Sequence, residues 1–277
     1  MTNTGALMNS RVCQKGLSLV ELMISLALGL LIVLAVTYVF AGSRTNYRHQ
    51  EAFSAVQESG RIALEVLTRD VRMAGYPGCG NLTFLQHLSP IFSNDVAIAG
   101  TANAVATFPD AITVTRGSSN LTSVVSMPSI SQVQLVGVGA LGTVAVGDQL
   151  LVTDCAYTEV FQVAGVAGNT LTSLAPLSRQ YGAGSLVMRL ETVAYTVVGN
   201  ELRRNGQAIA AGVTNMKIFY GVDTDADRSA NNYLTDPGAL VPVGWPSVVS
   251  VRVNLTVTER DVTMPFATTI ALRNRAP

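Results

Sequence analysis

Side chains able to do chemistry are sparse in this sequence. His49 and His87 are the only histidines, and neither has a cysteine, histidine or acid at metal-ligand spacing. No G-x-S-x-G elbow and no Walker loop occurs. The run GVGALG at 137–142 fits G-x-G-x-x-G, but that fingerprint needs a helix opening inside it. A strand-like TVAVGDQLLV follows instead, so a hairpin turn is expected. Three sets of residues carry more information. Asp223, Asp225 and Asp227 alternate in GVDTDADRSANNYLTD, as the oxygen ligands at positions 1, 3 and 5 of a calcium loop do. Position 6 is Arg228 where that loop needs glycine, and position 12 is Leu234 where it needs glutamate. A solvated acidic turn therefore competes with a site for calcium, the one cofactor this set would take. Cys79 and Cys155 form the second set. The third is Glu21 alone, a carboxylate at the start of an apolar run, where burial at the centre of a lipid-embedded helix costs about 3 kcal/mol.

The elements that must position these residues begin with that run. From Leu17 to Gly42 the only ionisable groups are Glu21 and Tyr38. A helix of this length extends about 39 Å, enough to cross the hydrocarbon core of a bilayer. Arg11 and Lys15 precede it with no acid, which holds that side in the cytoplasm and sends the long C-terminal part across. A removed secretory signal would need a shorter run ending in a small-x-small site. On this topology Cys13 stays inside, while Cys79 and Cys155 reach an oxidising compartment, where two thiols are most simply a disulfide. Two buried free thiols are the alternative.

Helical periodicity continues past the apolar run. Phe53, Val56, Gly60, Ala63, Leu64, Leu67, Val71 and Ala74 recur at steps of three or four, with charged residues on the other sides. No proline interrupts from Leu17 to Tyr76, and GYPGCG then stops the helix. One helix of about 58 residues is expected, half for lipid and half amphipathic. Beyond it the texture changes to short alternating runs rich in Val, Thr, Ile and Leu. Strands are expected near 111–116, 131–138, 148–154, 159–166, 186–198, 216–222, 246–259 and 267–274. The Gly-Asn pair in VVGNELRR marks a hairpin. No later helix is long enough for a crossover between parallel strands, so the sheet should be antiparallel. The fold class is α+β. The expected organisation is a leader at 1–16, a transmembrane helix at 17–42, its amphipathic continuation at 43–75 and a β-rich domain at 76–277. With 18 basic and 18 acidic side chains, no electrostatic footprint for nucleic acid is present. The lack of a nucleophile constellation argues against an enzyme.

KGLSLVELMISLALGLLIVLAV resembles the type III signal of type IV pilins and pseudopilins: a short basic leader ending in glycine, then a glutamate at mature position five of a long apolar helix. Gly16, Leu17 and Glu21 fall on those positions, with Leu17 where the family mostly has phenylalanine. Four further segments, LTRDVRMAGYPGCG, LLVTDCAYTEVFQV, ELRRNGQAIAAGVTNMKIFYGVDTDADRSANNY and WPSVVSVRVNLTV, are similar to PilW-type minor pilins. In that family the two cysteines sit in the first and second of these segments. Relatives often read D-x-D-G-D-G in the third, where this chain has Ala226 and Arg228. The resemblance implies cleavage after Gly16 by prepilin peptidase, methylation of Leu17, residence in the inner membrane with the C-terminal domain in the periplasm, and entry into a pilus. It implies other minor pilins and the major pilin as partners, with a tip adhesin as cargo, in a tip complex that primes the fibre. Such fibres serve twitching motility, cell adhesion or DNA uptake. A minor pseudopilin of a type II secretion system is the alternative, and a membrane-anchored exported enzyme or binding module a more distant one.

Overall fold

The computed structural model describes residues 16, 18–79, 86–87, 97–101, 109–239 and 244–273. Leu17, the residues up to Lys15 and the His87 side chain lie outside the described set. Two compact units, 1–51 and 52–277, divide the chain.

Helix α1 runs without a break from Leu19 to Arg72. Ser18 starts it, its Oγ accepting the Glu21 N–H at 3.1 Å. Such a cap satisfies one of the backbone donors that a helix N-terminus leaves open. The apolar part is exposed throughout and is long and apolar enough to cross a membrane. From Ala52 onward one stripe is buried: Ala52, Val56, Gly60, Ala63, Leu67, Asp70 and Val71, with Ala74 just beyond. Phe53 departs from the expected stripe and is 45% exposed. Its neighbour Ala52 occupies the buried line, because a period of 3.6 carries position 53 about 100° around the axis. The last turn tightens, with Met73 and Ala74 donating to the carbonyls of Asp70 and Val71, and Pro77 follows.

Fourteen strands follow among the described residues: β1 (Gln86–His87), β2 (Ile98–Thr101), β3 (Ala111–Ser129), β4 (Gln132–Leu135), β5 (Gln149–Thr153), β6 (Tyr157–Ala167), β7 (Thr170–Ser173), β8 (Leu186–Val198), β9 (Glu201–Arg204), β10 (Gln207–Ala211), β11 (Val213–Val222), β12 (Asn232–Leu234), β13 (Val248–Glu259) and β14 (Val262–Ala271). They form two sheets where the sequence pattern suggests one. β12, β11, β13 and β14 make a four-stranded antiparallel sheet. The other ten make a sheet that is antiparallel except where β1 runs parallel to β6. Part of it closes on itself. β3 pairs with β8 and β4, β4 with β7, β7 with β6, β6 with β5, and β5 with β8, a closed ring of six strands. β2, β9 and β10 extend the same sheet outside the ring. The β8–β9 hairpin turns through Gly199 and Asn200, both at φ 61, the left-handed pair that matches strand twist.

Each architecture has its own core. The helix stripe packs with Ile112, Val114, Val193 and Tyr195 from the ten-stranded sheet and with Met216, Ile218, Val251, Val253 and Leu255 from the four-stranded one. The ring encloses Val124, Leu135, Leu150, Phe161, Val163, Leu171 and Val187. GVGALG is a 3-10 turn at Val138–Leu141 in place of the expected hairpin turn, with Leu141 buried in the ring's core. β3 and β8 contribute to both cores.

Gly60 lies close against the four-stranded sheet, since a Cβ there would stand 2.5 Å from the Phe266 ring. Gly60→Val should displace that ring and destabilise the domain by about 1–3 kcal/mol, the usual overpacking range. Thermal unfolding of the full chain in detergent checks this, and an unchanged midpoint would contradict the contact.

Candidate functional site

At the start of α1 the cap and the carboxylate belong to one turn. Ser18 and Glu21 have S-x-x-E spacing, in which the glutamate can reach back to the cap's own N–H. Here only the backbone half of that box is made, by the Glu21 N–H. The Glu21 side chain is exposed and makes no hydrogen bond or ion pair with any described residue. Its carboxylate lies in the first turn, where the helix dipole favours negative charge. Gly16 is exposed just before the cap, with nothing near its Cα. The cap is absent from the expectations above, although its spacing is plain in the sequence.

The far end of the same helix holds a second ionic site, also unforeseen. Asp70 is completely buried. Its Oδ2 accepts hydrogen bonds from the Tyr195 hydroxyl and from Arg204 Nε, both at 2.7 Å. Its Oδ1 faces Arg116 Nη2 at 3.3 Å, and Arg116 also lies 3.6 Å from Glu191. Burial by itself would raise the Asp70 carboxyl. The Tyr195 hydrogen bond and the two guanidinium groups more than offset that and hold it below the usual carboxylate range. Burial first, then Asp70, pushes the Tyr195 hydroxyl up. The signal available in the sequence is one acid at the i+3 step from Leu67, inside an otherwise apolar stripe.

After the helix, Cys79 is bonded to Cys155 with Cα atoms 5.1 Å apart. The surrounding turn is fastened by backbone: Gly75 N–H donates to Thr115, and Gly117 N–H to Tyr76. The Tyr76 hydroxyl donates to the Gly78 carbonyl at 2.6 Å. This places the bridge between the end of the helical segment and the β5–β6 turn. On the chain-entropy account a loop this long restricts the unfolded chain by about 4 kcal/mol.

Asp223, Asp225 and Asp227 do converge, since one carboxylate oxygen from each lies within 4.8 Å of the others. The loop is already ordered by its own backbone. Asp223 accepts from the N–H groups of Asp225, Ala226 and Arg228, and Asp225 and Asp227 accept from Asp227 and Ser229. Its slight desolvation works the other way, but those N–H groups hold the Asp223 carboxyl below its usual value. Ala226 and Arg228 sit at φ 64 and 68, the left-handed region that glycine enters freely. Asp223 is half-buried and the other two are exposed; in chemistry these hard oxygen donors fit a calcium-type cation, which Asp223, Asp225 and Asp227 would hold.

Residues 178–272 match the family Type IV Pilus-assembly protein W, and residues 11–37 match the Prokaryotic N-terminal methylation motif. Together the two matches support a PilW-type type IV minor pilin. No curated protein and no solved structure gave a match. The motif match contains Gly16, Leu17 and Glu21, and with the apolar helix it fits a membrane-anchored pilin. The family match runs from Ser178, which donates to the buried Glu159, through β14. It therefore includes Tyr195, Arg204 and the three aspartates, while Asp70 and Arg116 precede it.

Asp70→Asn should destabilise the β-rich domain by about 3 kcal/mol, because it leaves Arg116 and Arg204 without their shared counter-charge. The folded carboxyl lies below its unfolded value of about 3.9, so its contribution is complete above that pH and is lost as pH falls through the folded value. Unfolding midpoints of both chains, followed from pH 7 down to about pH 3, should therefore converge in acid. A constant gap would refute this assignment.

Proposed function

We propose that this chain is cleaved by prepilin peptidase between Gly16 and Leu17, is methylated on the new amine, and acts as a minor pilin. Within a complex of minor pilins at the tip it primes assembly of a type IV pilus on the major pilin, and it offers a seat for a tip adhesin. The reading places the anchor in the inner membrane and residues beyond the span in the periplasm, then in the fibre. Its role is structural and not catalytic.

The observation that carries the reading is the Glu21 carboxylate, exposed in the first turn of an apolar helix with no partner among the described residues of its own chain. In a bundle of apolar helices an unpaired charge is unfavourable by several kcal/mol. Cleavage creates a positive amine on Leu17, and a neighbouring subunit's Glu21 equivalent can face it. The converse pairing satisfies Glu21. Such a pair forms at one axial offset only, so it would set the register of a docking subunit.

Intact-mass analysis of the protein from native membranes tests the first step, with loss of residues 1–16 and gain of one methyl expected. A chain retaining its N-terminus would exclude processing. Glu21→Ala should leave the periplasmic domain folded while docking weakens by about 3 kcal/mol, roughly a hundredfold, and surface pili become scarce. Normal piliation by that variant would remove the register role.

A further inference from the structure

Among the described residues the four-stranded sheet ends on β14 with no strand beyond it. Parity shows which backbone groups this leaves open. The β13–β14 hairpin turns through Arg260 and Asp261 and pairs Glu259 with Val262. At the other end the Leu272 N–H donates to the Val249 carbonyl at 2.9 Å. Hydrogen-bonded and open pairs alternate along an antiparallel ladder. Even-numbered residues of β14 therefore bond to β13, and odd-numbered ones turn N–H and C=O outward. Pro265 agrees with this parity, since its missing N–H falls at an outward position. Thr263, Ala267, Thr269 and Ala271 supply the outward donors.

Natural edges are blunted by charge, proline, bulges or brevity. β14 has Pro265 in its first half, but its pairing with β13 runs without a bulge, and Phe266–Ala271 holds no charged side chain. The other outer strands differ, for β12 has three residues, β2 has four, and β10 carries a bulge at Ala208–Ala210. β14 is the long open edge among the described strands.

Beside this edge runs a groove floored by one face of α1. Leu64, Thr68 and Met73 line it from the helix and Phe266 from β14, with Arg61, Arg69 and Arg72 along the rim. A strand added to β14 would lie over that face and cover its apolar floor. The rim sets the charge of such a strand. Glu65 is the one acid in the lining, and Glu58 engages Arg61 at 3.6 Å. Arg69 reaches Asp70 Oδ1 at 3.9 Å yet keeps its side chain 71% exposed, and Arg72 has no carboxylate within 4 Å among the described residues.

We propose that the free edge of β14 receives an extended strand bearing acidic side chains, donated by another subunit of the fibre. The identity of the donor rests on the pilus reading above, whereas the edge itself does not. The backbone ladder supplies affinity, and the Arg69–Arg72 rim selects for carboxylates.

The test uses the full chain in detergent with an end-blocked synthetic nonapeptide alternating valine and glutamate. Binding should slow hydrogen exchange at Ala267, Thr269 and Ala271. The lysine counterpart of the peptide, and the glutamate peptide on an Arg72→Glu chain, should bind roughly three- to tenfold more weakly. Thr269→Pro removes one outward donor, so it should abolish protection without lowering the melting temperature. Unaltered exchange at the three amides, equal binding of both peptides, or full protection in folded Thr269→Pro overturns the proposal. Should Thr269→Pro not fold, the charge-reversed chain decides. In cells, a photo-cross-linking residue at position 269 should yield an adduct with an acidic strand of another pilin-type subunit. No adduct, or an adduct with another class of protein, overturns the choice of donor. Peptide binding needs no fibre, so it survives a failure of the pilus reading, and its own failure leaves the Glu21→Ala phenotype unaffected.

Discussion

One buried carboxylate ties the architecture of the β-rich domain to the helix. Asp70 belongs to the last turn of α1, Arg116 to β3, Tyr195 to β8 and Arg204 to β9, and all three side chains converge on its two oxygens. Apolar packing alone would let the helix slide or rotate on the sheet, because the Ala, Val, Leu and Gly side chains of its stripe are alike in character and direction-free. A charge that must meet two guanidinium groups and a hydroxyl permits one position. The arrangement is favourable only when complete, since each member removed leaves a charge with poor hydration.

The helix thereby divides its labour along its length. Its second half has a partner for every buried side chain, including Asp70. Its first half has none among the described residues: the surface is exposed and largely apolar, and its one carboxylate, Glu21, is open. The helix is thus packed at one end and bare at the other.

Much of this was legible in the sequence. The apolar run, the amphipathic continuation and the Gly-Pro stop gave a helix close to Leu19–Arg72, and the alternating runs fell on strands. What stayed hidden depends on pairing at long range. The strand expected near 111–116 continues to Ser129, and GSSNLTS at 117–123 is a register shift inside this unbroken β3, where Leu121 resumes pairing with β8 after Gly117. That irregularity lets one strand serve both the closed ring and the sheet against the helix. No local pattern reports it, nor the division into two sheets. Asp70 was hidden for a different reason: a lone acid within an apolar stripe reads as a surface charge unless Arg116, Tyr195 and Arg204, 46 or more residues away, are known to converge on it.

The disulfide matters in a further respect once the chain is regarded as something that can be pulled. Tension entering along α1 meets the β domain through side-chain packing and through the covalent continuation past Gly75. At Cys79 that continuation forks: one branch follows the backbone, and the other crosses the sulfur bridge to Cys155 between β5 and β6. The ring of strands is thus loaded from inside its own circumference as well as from β3. A ladder loaded at two points shares the strain among several strands in shear, so the first hydrogen bonds do not have to give way one at a time.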